Sequence, residues 1–323
     1  MVKKYLKNFI ILALNNPFLL RRKIDSLRKF NALTILNLHG ISDNKVDAFQ
    51  MVDPFLFEEL LIFLKSNFEI ICFKDLKNEG ISEKPKIILS FDDGHKNFID
   101  YAVPILAKYK IKVNMNIIPD CVESQLPPLN ILTGDFLYQA PIKLIKNLSI
   151  PGFNFPKTVK NRPQLALKVS SFIKNKSIEE QNILRETLMP QLFELETFQP
   201  TKMMTLNEIK QTISEHEYGV HSYSHASMKF ESDDYLKKDF LKCQEYFKNS
   251  LGKSTEIYAF PNGNHNKKHI SLALSYGYKH ILLVDELFSH CNNNIHCRFT
   301  FHARSRKEVF FKATGGLTKP KLN

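Results

Sequence analysis

The chain has 323 residues, 43% hydrophobic and 24% charged, and its 45 Lys and Arg against 33 Asp and Glu give a formal net charge of +12. That composition excludes a disordered polypeptide and leaves room for one large α/β domain or two small ones. The five cysteines (Cys72, Cys121, Cys243, Cys291 and Cys297) are odd in number and mostly far apart, which excludes a disulfide framework and fits a reducing compartment.

The N-terminus, MVKKYLKNFIILALNNPF, sets lysines before a short apolar run that ends at Asn15, Asn16 and Pro17. It lacks a small-residue cleavage site and the length of a membrane span. Residues 1–30 therefore read as a basic helical segment that either touches a membrane surface or packs on the protein. Strand-like and helix-like runs then alternate, as expected for parallel strands joined by crossover helices. Ala32–His39 is the first expected strand, and Asp53 with Pro54 opens a helix as N-cap and first helical residue. Phe68–Phe73 and Lys86–Phe91 follow as strands, Phe98–Tyr109 as a helix and Ile111–Ile118 as a strand.

Between about residues 121 and 201 the alternation stops: a Pro-rich piece gives way to a long helical pattern over Gln164–Leu195, which reads as an insertion or lid. Thr205 and Glu208 then form a capping box, Tyr218–Ser222 reads as a strand, and Leu236, Phe240, Cys243 and Phe247 share a helical face closed by Gly252. Glu256–Phe260 is a strand, Lys267–Tyr276 a helix stopped at Gly277, Tyr278–Val284 and Cys297–His302 are strands, and Ser305 with Glu308 starts a last helix. The whole implies one barrel-like or doubly wound α/β domain over residues 31–323.

In such folds reactive groups collect at strand ends. Four polar clusters lie there: His39, the pair Asp92 and Asp93, HSYSH from His221 to His225, and FPNGNH from Phe260 to His265. Two adjacent carboxylates could make a solvated turn or a helix cap. His221 and His225 are four residues apart, so one helical turn would point both imidazoles the same way, suited to a transition metal. Two neutral imidazoles and a carboxylate form a ligand set that leaves zinc with open positions.

SFDDG from Ser90 to Gly94, HSYSH from His221 to His225 and FPNG from Phe260 to Gly263, in that order, resemble the first three motifs of the polysaccharide deacetylases, the NodB-homology or family 4 carbohydrate esterases. The likeness runs from about Leu33 to Arg298 and includes YAVPILAKYKI and MMTLNEIK. It implies a distorted (β/α) barrel and a divalent metal, zinc in type, held by Asp93, His221 and His225, with Asp92 as general base. The oxyanion donor it implies is the backbone N–H of Asn262, in a loop fixed by Pro261 and opened by Gly263.

The pattern departs from the family in two places. Ala259 stands where many members carry an arginine that orients the catalytic aspartate, and Arg298 is the candidate stand-in. No Leu-x-His motif follows Gly263, so the general acid is either His39, which resembles a histidine of circularly permuted members, or His302. His95 reads as a solvated or wall residue, and SHCNNNIHC as a reduced loop with a structural zinc site as the alternative.

The expected activity is metal-dependent removal of N-acetyl groups from amino sugars of a glycan, a lipid-linked sugar or an oligosaccharide. The rivals are a carbohydrate-binding protein that has lost turnover and an amidohydrolase of non-sugar or formyl amides. The basic excess suits anionic partners in general, and without an aromatic-rich basic motif nucleic acid is not expected. With no export signal read, the expected location is cytoplasmic, at or near the inner membrane surface.

Overall fold

The computed structural model describes residues 16–43, 51–76, 82–156, 158–159 and 161–320. The expected helix over the first residues of the chain lies outside these. The described part of that segment is the helix Pro17–Lys29, capped by the Asn16 side chain.

Among the described residues nine strands form one parallel sheet: β1 (Thr34–Leu38), β2 (Glu69–Ile70), β3 (Lys86–Phe91), β4 (Asn114–Ile117), β5 (Glu217–Val220), β6 (Ile257–Ala259), β7 (His280–Leu282), β8 (Ile295–His296) and β9 (Phe299–Thr300). The order across the sheet is β8-β7-β6-β5-β4-β3-β1-β9, with β2 beside the start of β3. Its two outer strands are consecutive in the chain, separated only by Cys297 and Arg298. The segment from Ile295 to Thr300 thus pairs with β7 through its first half and with β1 through its second, curling the sheet into a (β/α) barrel with its seam at Arg298. A doubly wound sheet, with its two edges far apart, is excluded.

Strand alternation sorts the side chains. Leu36 and Leu38 of β1 and Ile87, Leu89 and Phe91 of β3 pack outward against the helices, whereas Leu33, Ile35, Ile88, Ile257, Ala259 and Leu282 form a separate inner cluster. Further along the same strands the apolar series changes to buried Asn37, Ser90, Asp92, Asn114 and Asn116. The barrel is therefore greasy at its N-terminal end and polar at its C-terminal end.

The expected helix opening at Asp53 is present as Pro54–Asn67, with the Asp53 carboxylate accepting the Phe55 N–H. Thr205 and Glu208 form their reciprocal box, and Leu236, Phe240, Cys243 and Phe247 lie buried on the helix Asp233–Leu251, ended by left-handed Gly252. At Ser305 the cap forms, but the Glu308 carboxylate accepts the Arg304 N–H instead of that of Ser305. The strand expected over Phe68–Phe73 pairs only at Glu69–Ile70 and then winds into a short 3-10 turn.

Between β4 and the capping box at Thr205 the described residues form five helices, Pro119–Ser124, Leu129–Gln139, Ile142–Asn147, Arg162–Lys174 and Ile178–Phe193. The Pro-rich piece is thus largely helical, because Pro128 and Pro141 stand at N-caps, where a missing N–H costs nothing. The single long helix expected over Gln164–Leu195 is two, since the Ser177–Glu180 capping box restarts the chain after Asn175. Leu132, Phe136, Val169, Ile173, Leu184 and Leu188 give this insertion an apolar core of its own.

Candidate active site

The strand-end clusters meet at the C-terminal mouth of the barrel. His39, Asp92, Asp93, His221, His225, Phe260 and Asn262 line one cavity of about 190 Å3, together with Asn130, Ile131 and Lys174 of the insertion.

Asp92 continues the inward series Ile88, Ser90 along β3, and its main-chain N–H still bonds to the Leu38 carbonyl at 2.9 Å. Strand alternation alone would send Asp93 outward. Instead its φ of 76°, followed by 74° at Gly94, turns it back toward the same cavity. Adjacent carboxylates share the site because the strand delivers one and a left-handed turn the other. Asp93, Ser222, His225 and Asn262 are four of eight described non-glycine residues with left-handed backbone. Such conformations cost about 1–3 kcal/mol each and persist where the surroundings enforce them.

The surroundings of Asp92 are complete. Arg298, fully buried at the barrel seam, donates two parallel hydrogen bonds of 2.8 Å to its two oxygens, and Asn116 donates a third at 2.8 Å. The same guanidinium bonds to Asn37 Oδ1, Ser90 Oγ and the Leu283 carbonyl. Ser90, Asn114 and Asn116 close a further ring of hydrogen bonds of 2.7–3.2 Å. Room for Asn116 exists because Gly219 lies opposite it on β5, where a Cβ would stand 2.4 Å from Asn116 Oδ1. Burial pushes the Asp92 carboxyl up, but Arg298 and His221 outweigh it and hold the group well below the usual carboxylate range.

Asp93 is the opposite case. Its Oδ1 lies 3.6 Å from Nε2 of both His221 and His225 and, though buried, has no hydrogen-bond partner. Burial pushes this carboxyl up, while His39, His95, His225 and His221 around it hold it at about 2. His221 donates from Nδ1 to the Ala259 carbonyl at 2.9 Å, which leaves its Nε2 lone pair facing Asp93. Burial pushes the His225 imidazole down to about 3 against the pull of Asp93, so it is a neutral ligand at pH 7. The ligand atoms of Asp93, His221 and His225 lie within 4.8 Å of one another. Ligands about 2.1 Å from a tetrahedral ion stand about 3.4 Å apart, so the trio fits a divalent cation, and an orphaned carboxylate oxygen is what such an ion would satisfy.

The two histidines do not share a helical turn. Residues 221–225 form a loop after β5, bent by φ values of 60° at Ser222 and 59° at His225. The buried carboxylate of Asp239 pins that loop, accepting from Ser222 Oγ at 2.8 Å, Tyr223 N at 2.9 Å and Tyr258 OH at 2.7 Å. Sequence reasoning missed Asp239, and its signal was an acidic residue on the otherwise apolar face of Asp233–Leu251. It also missed Asn37, Asn114 and Asn116, whose signal was polar residues at alternate positions of apolar strands.

Pro261, Asn262 and Gly263 form one 3-10 turn at the cavity rim, and Asn262 Nδ2 donates to Ser227 Oγ at 2.9 Å. His39 follows β1 and lines the cavity, whereas His302 is exposed and not among its lining residues. His95 is buried, not solvated, with Nε2 3.7 Å from Asp93 Oδ2. His296 pairs with His280 at 3.1 Å, and all five cysteines are free thiols. Among the described residues the Asp93, His221 and His225 group is the one that could hold a metal, so SHCNNNIHC forms no second site.

A family model described as polysaccharide deacetylase matches residues 79–281. The chain belongs to the polysaccharide deacetylase family. It is a hydrolytic N-deacetylase on the NodB-type barrel. Similar solved structures include the deacetylase PplD of Streptococcus pyogenes in complex with acetate, at 17% identity over 88% of this chain and 98% of that one, with a TM-score of 0.58. The polysaccharide deacetylase BC0361 of Bacillus cereus matches at 15% identity over 88% and 69%, TM-score 0.57. IcaB of Ammonifex degensii matches at 13% identity over 88% and 97%, TM-score 0.54. A comparison with curated proteins returns no match. These structural likenesses show that the deacetylase shares their fold.

Proposed function

We propose that the protein hydrolyses the N-acetyl group of an amino sugar in a glycan, a lipid-linked sugar or an oligosaccharide, with a divalent cation at Asp93, His221 and His225. The observation that carries this reading is the unsatisfied Asp93 Oδ1 facing two imidazole nitrogens at 3.6 Å, one residue from a carboxylate that needs nothing. An ion bound there would lower the pKa of a water and polarise the amide carbonyl.

The chain's own groups do the rest. Asp92, held ionised and aimed by Arg298, takes a proton from the attacking water. The main-chain N–H of Asn262, in its fixed turn, faces the oxygen that gains charge as the carbonyl carbon becomes tetrahedral. His39 returns a proton to the nitrogen as the C–N bond breaks, releasing acetate and a free amine. That PplD was solved with acetate is in keeping with an acetate-sized product. A cavity of about 190 Å3 is smaller than the roughly 300–1,000 Å3 of sites that enclose a whole drug-sized ligand. It suits the acetamido end of a sugar whose remaining residues lie outside.

The binding-protein alternative drew on Ala259, in place of an arginine, and on the missing C-terminal acid motif. Arg298 reaches the same carboxylate from the barrel seam, which removes the first motive, and His39 at the cavity is the proposed answer to the second. Acetate release from N-acetylglucosamine oligosaccharides, with and without a chelator, tests the reading. Release that stops with chelator and returns with zinc supports it, and release indifferent to chelator contradicts it.

A further inference from the structure

The insertion closes a second cavity beside the catalytic one. It measures about 360 Å3, and Ser42, Asn97, Asp100, Gln139, Thr201 and Lys202 are among the residues that line it. Three segments of the chain take part in both cavities. The loop after β1 gives His39 to the catalytic cavity and Ser42 to the second, and the turn after β3 gives Asp93 to the first and Lys96 and Asn97 to the second. On the insertion helix Leu129–Gln139, Ile131 lines the catalytic cavity while Asp135 and Gln139 line the other. Those three positions are spaced i, i+4 and i+8, so one face of the helix leads from cavity to cavity over about 12 Å.

Hydrogen bonds fix the walls of this second cavity. Asp135, itself buried, accepts the Thr201 N–H at 2.8 Å, and the Gln139 side chain holds the Gln199 main chain at both its N–H (2.9 Å) and its carbonyl (2.7 Å). The Lys96 N–H donates to the Lys202 carbonyl at 2.8 Å, and the Asn97 carboxamide lies against Gly40, where a Cβ would stand 2.4 Å from its Oδ1. Among the described lining residues the charged ones are Lys96, Lys202, Asp100 and Asp135, two of each sign, and Lys96 is paired with Asp100 at 3.4 Å and with Glu208. Amides, a carboxylate and a hydroxyl with no excess charge are the donors and acceptors that suit the hydroxyl groups of an uncharged sugar ring. The competing role is structural, since the same bonds hold the insertion to the barrel.

Resting on the deacetylase reading, we infer that the second cavity is a subsite for a further, uncharged sugar unit of the same glycan, whose chain lies along the helix Leu129–Gln139 with its N-acetylated unit at the catalytic cavity. The insertion then selects for chain length. A glycan of several units engages both cavities, and a lone amino sugar or a disaccharide engages one. Binding energy gained at the distant unit helps to hold the reacting one in place.

The test is acetate release, counted per acetyl group, by the full-length zinc-loaded protein from N-acetylglucosamine, di-N-acetylchitobiose and tetra-N-acetylchitotetraose. The wild type is expected to show kcat/KM about tenfold or more higher on the tetrasaccharide than on the disaccharide, the scale of a hydrogen bond to a charged group. Asp100→Ala and Thr201→Val, the second of which keeps the main-chain bond to Asp135, should bring the tetrasaccharide down to the level of the disaccharide, with circular dichroism of each variant checking the fold. Equal values on the disaccharide and tetrasaccharide in the wild type, or a length preference that survives in both variants, overturns the inference and leaves the deacetylase reading intact. So does a loss shared equally by the two substrates in the variants, which would mark these residues as structural. Release of acetate from none of the three sugars overturns both.

Discussion

The two halves of the site are adjacent in sequence and opposite in construction. The Asp92 half is built from strands: β1, β3, β4 and the β8–β9 seam supply Asn37, Ser90, Asn116 and Arg298, and together they satisfy both carboxylate oxygens. The Asp93 half is built from loops held in left-handed backbone conformations, and its Oδ1 is left without a partner. The difference teaches how one barrel mouth separates two carboxylate roles. On the proposed reading, the carboxylate that the protein completes by itself is the base, and the one left incomplete is the one that takes an outside cation.

The strongest way to break the comparison is Asp92→Asn. It should remove turnover to background while metal content, measured by elemental analysis, stays at the wild-type level. Next in size, His39→Ala is expected to lower kcat by about 10²–10⁴-fold, the usual range for a general acid. His302→Ala, which alters an exposed residue outside the cavity, should change it by less than about twofold. The reverse pattern in steady-state kinetics would move the acid role to the late strand.

Arg298→Met attacks the completed half. It leaves Asp92 buried and unpaired, which should cost about 3–5 kcal/mol in denaturant unfolding at pH 7. The sign of the pH dependence follows from the depressed Asp92 pKa. In the wild type the pair's contribution is present above the carboxylate's unfolded pKa, near 3.9, and is lost as pH falls below it. In the variant, burial without the guanidinium favours the protonated acid. The stability gap between the two proteins should therefore narrow as pH falls from 7 to 3, and a constant gap would contradict the pairing. The smallest expected effect sharpens the loop half: Asp239→Ala, which frees Ser222, Tyr223 and Tyr258, should weaken zinc binding by about 10–100-fold without abolishing it.

Much of this was readable from residue patterns. The strand Lys86–Phe91, the caps at Asp53 and Thr205 and the buried stripe on Asp233–Leu251 follow local rules, and the structure agrees with them. What local rules could not show is long-range. The family resemblance could name Arg298 as a stand-in, but that it reaches Asp92 across 206 positions of sequence follows from the barrel closing at that residue, a fact of topology that no window of sequence contains. The His221–His225 loop copies the spacing of a helical turn without being one, since Asp239, 17 positions from Ser222, sets its path. The Pro-rich piece hid its helices because a helix start and a coil have the same proline signal until the following residues pack.

The central claim is that Asp93, His221 and His225 hold one divalent ion and Asp92 holds none. It is tested most directly by titrating metal-free protein with zinc in a calorimeter. One site per chain, retained in Asp92→Asn and lost in His225→Ala, is the predicted result. A protein that binds no zinc, or loses it equally in both variants, would contradict the account.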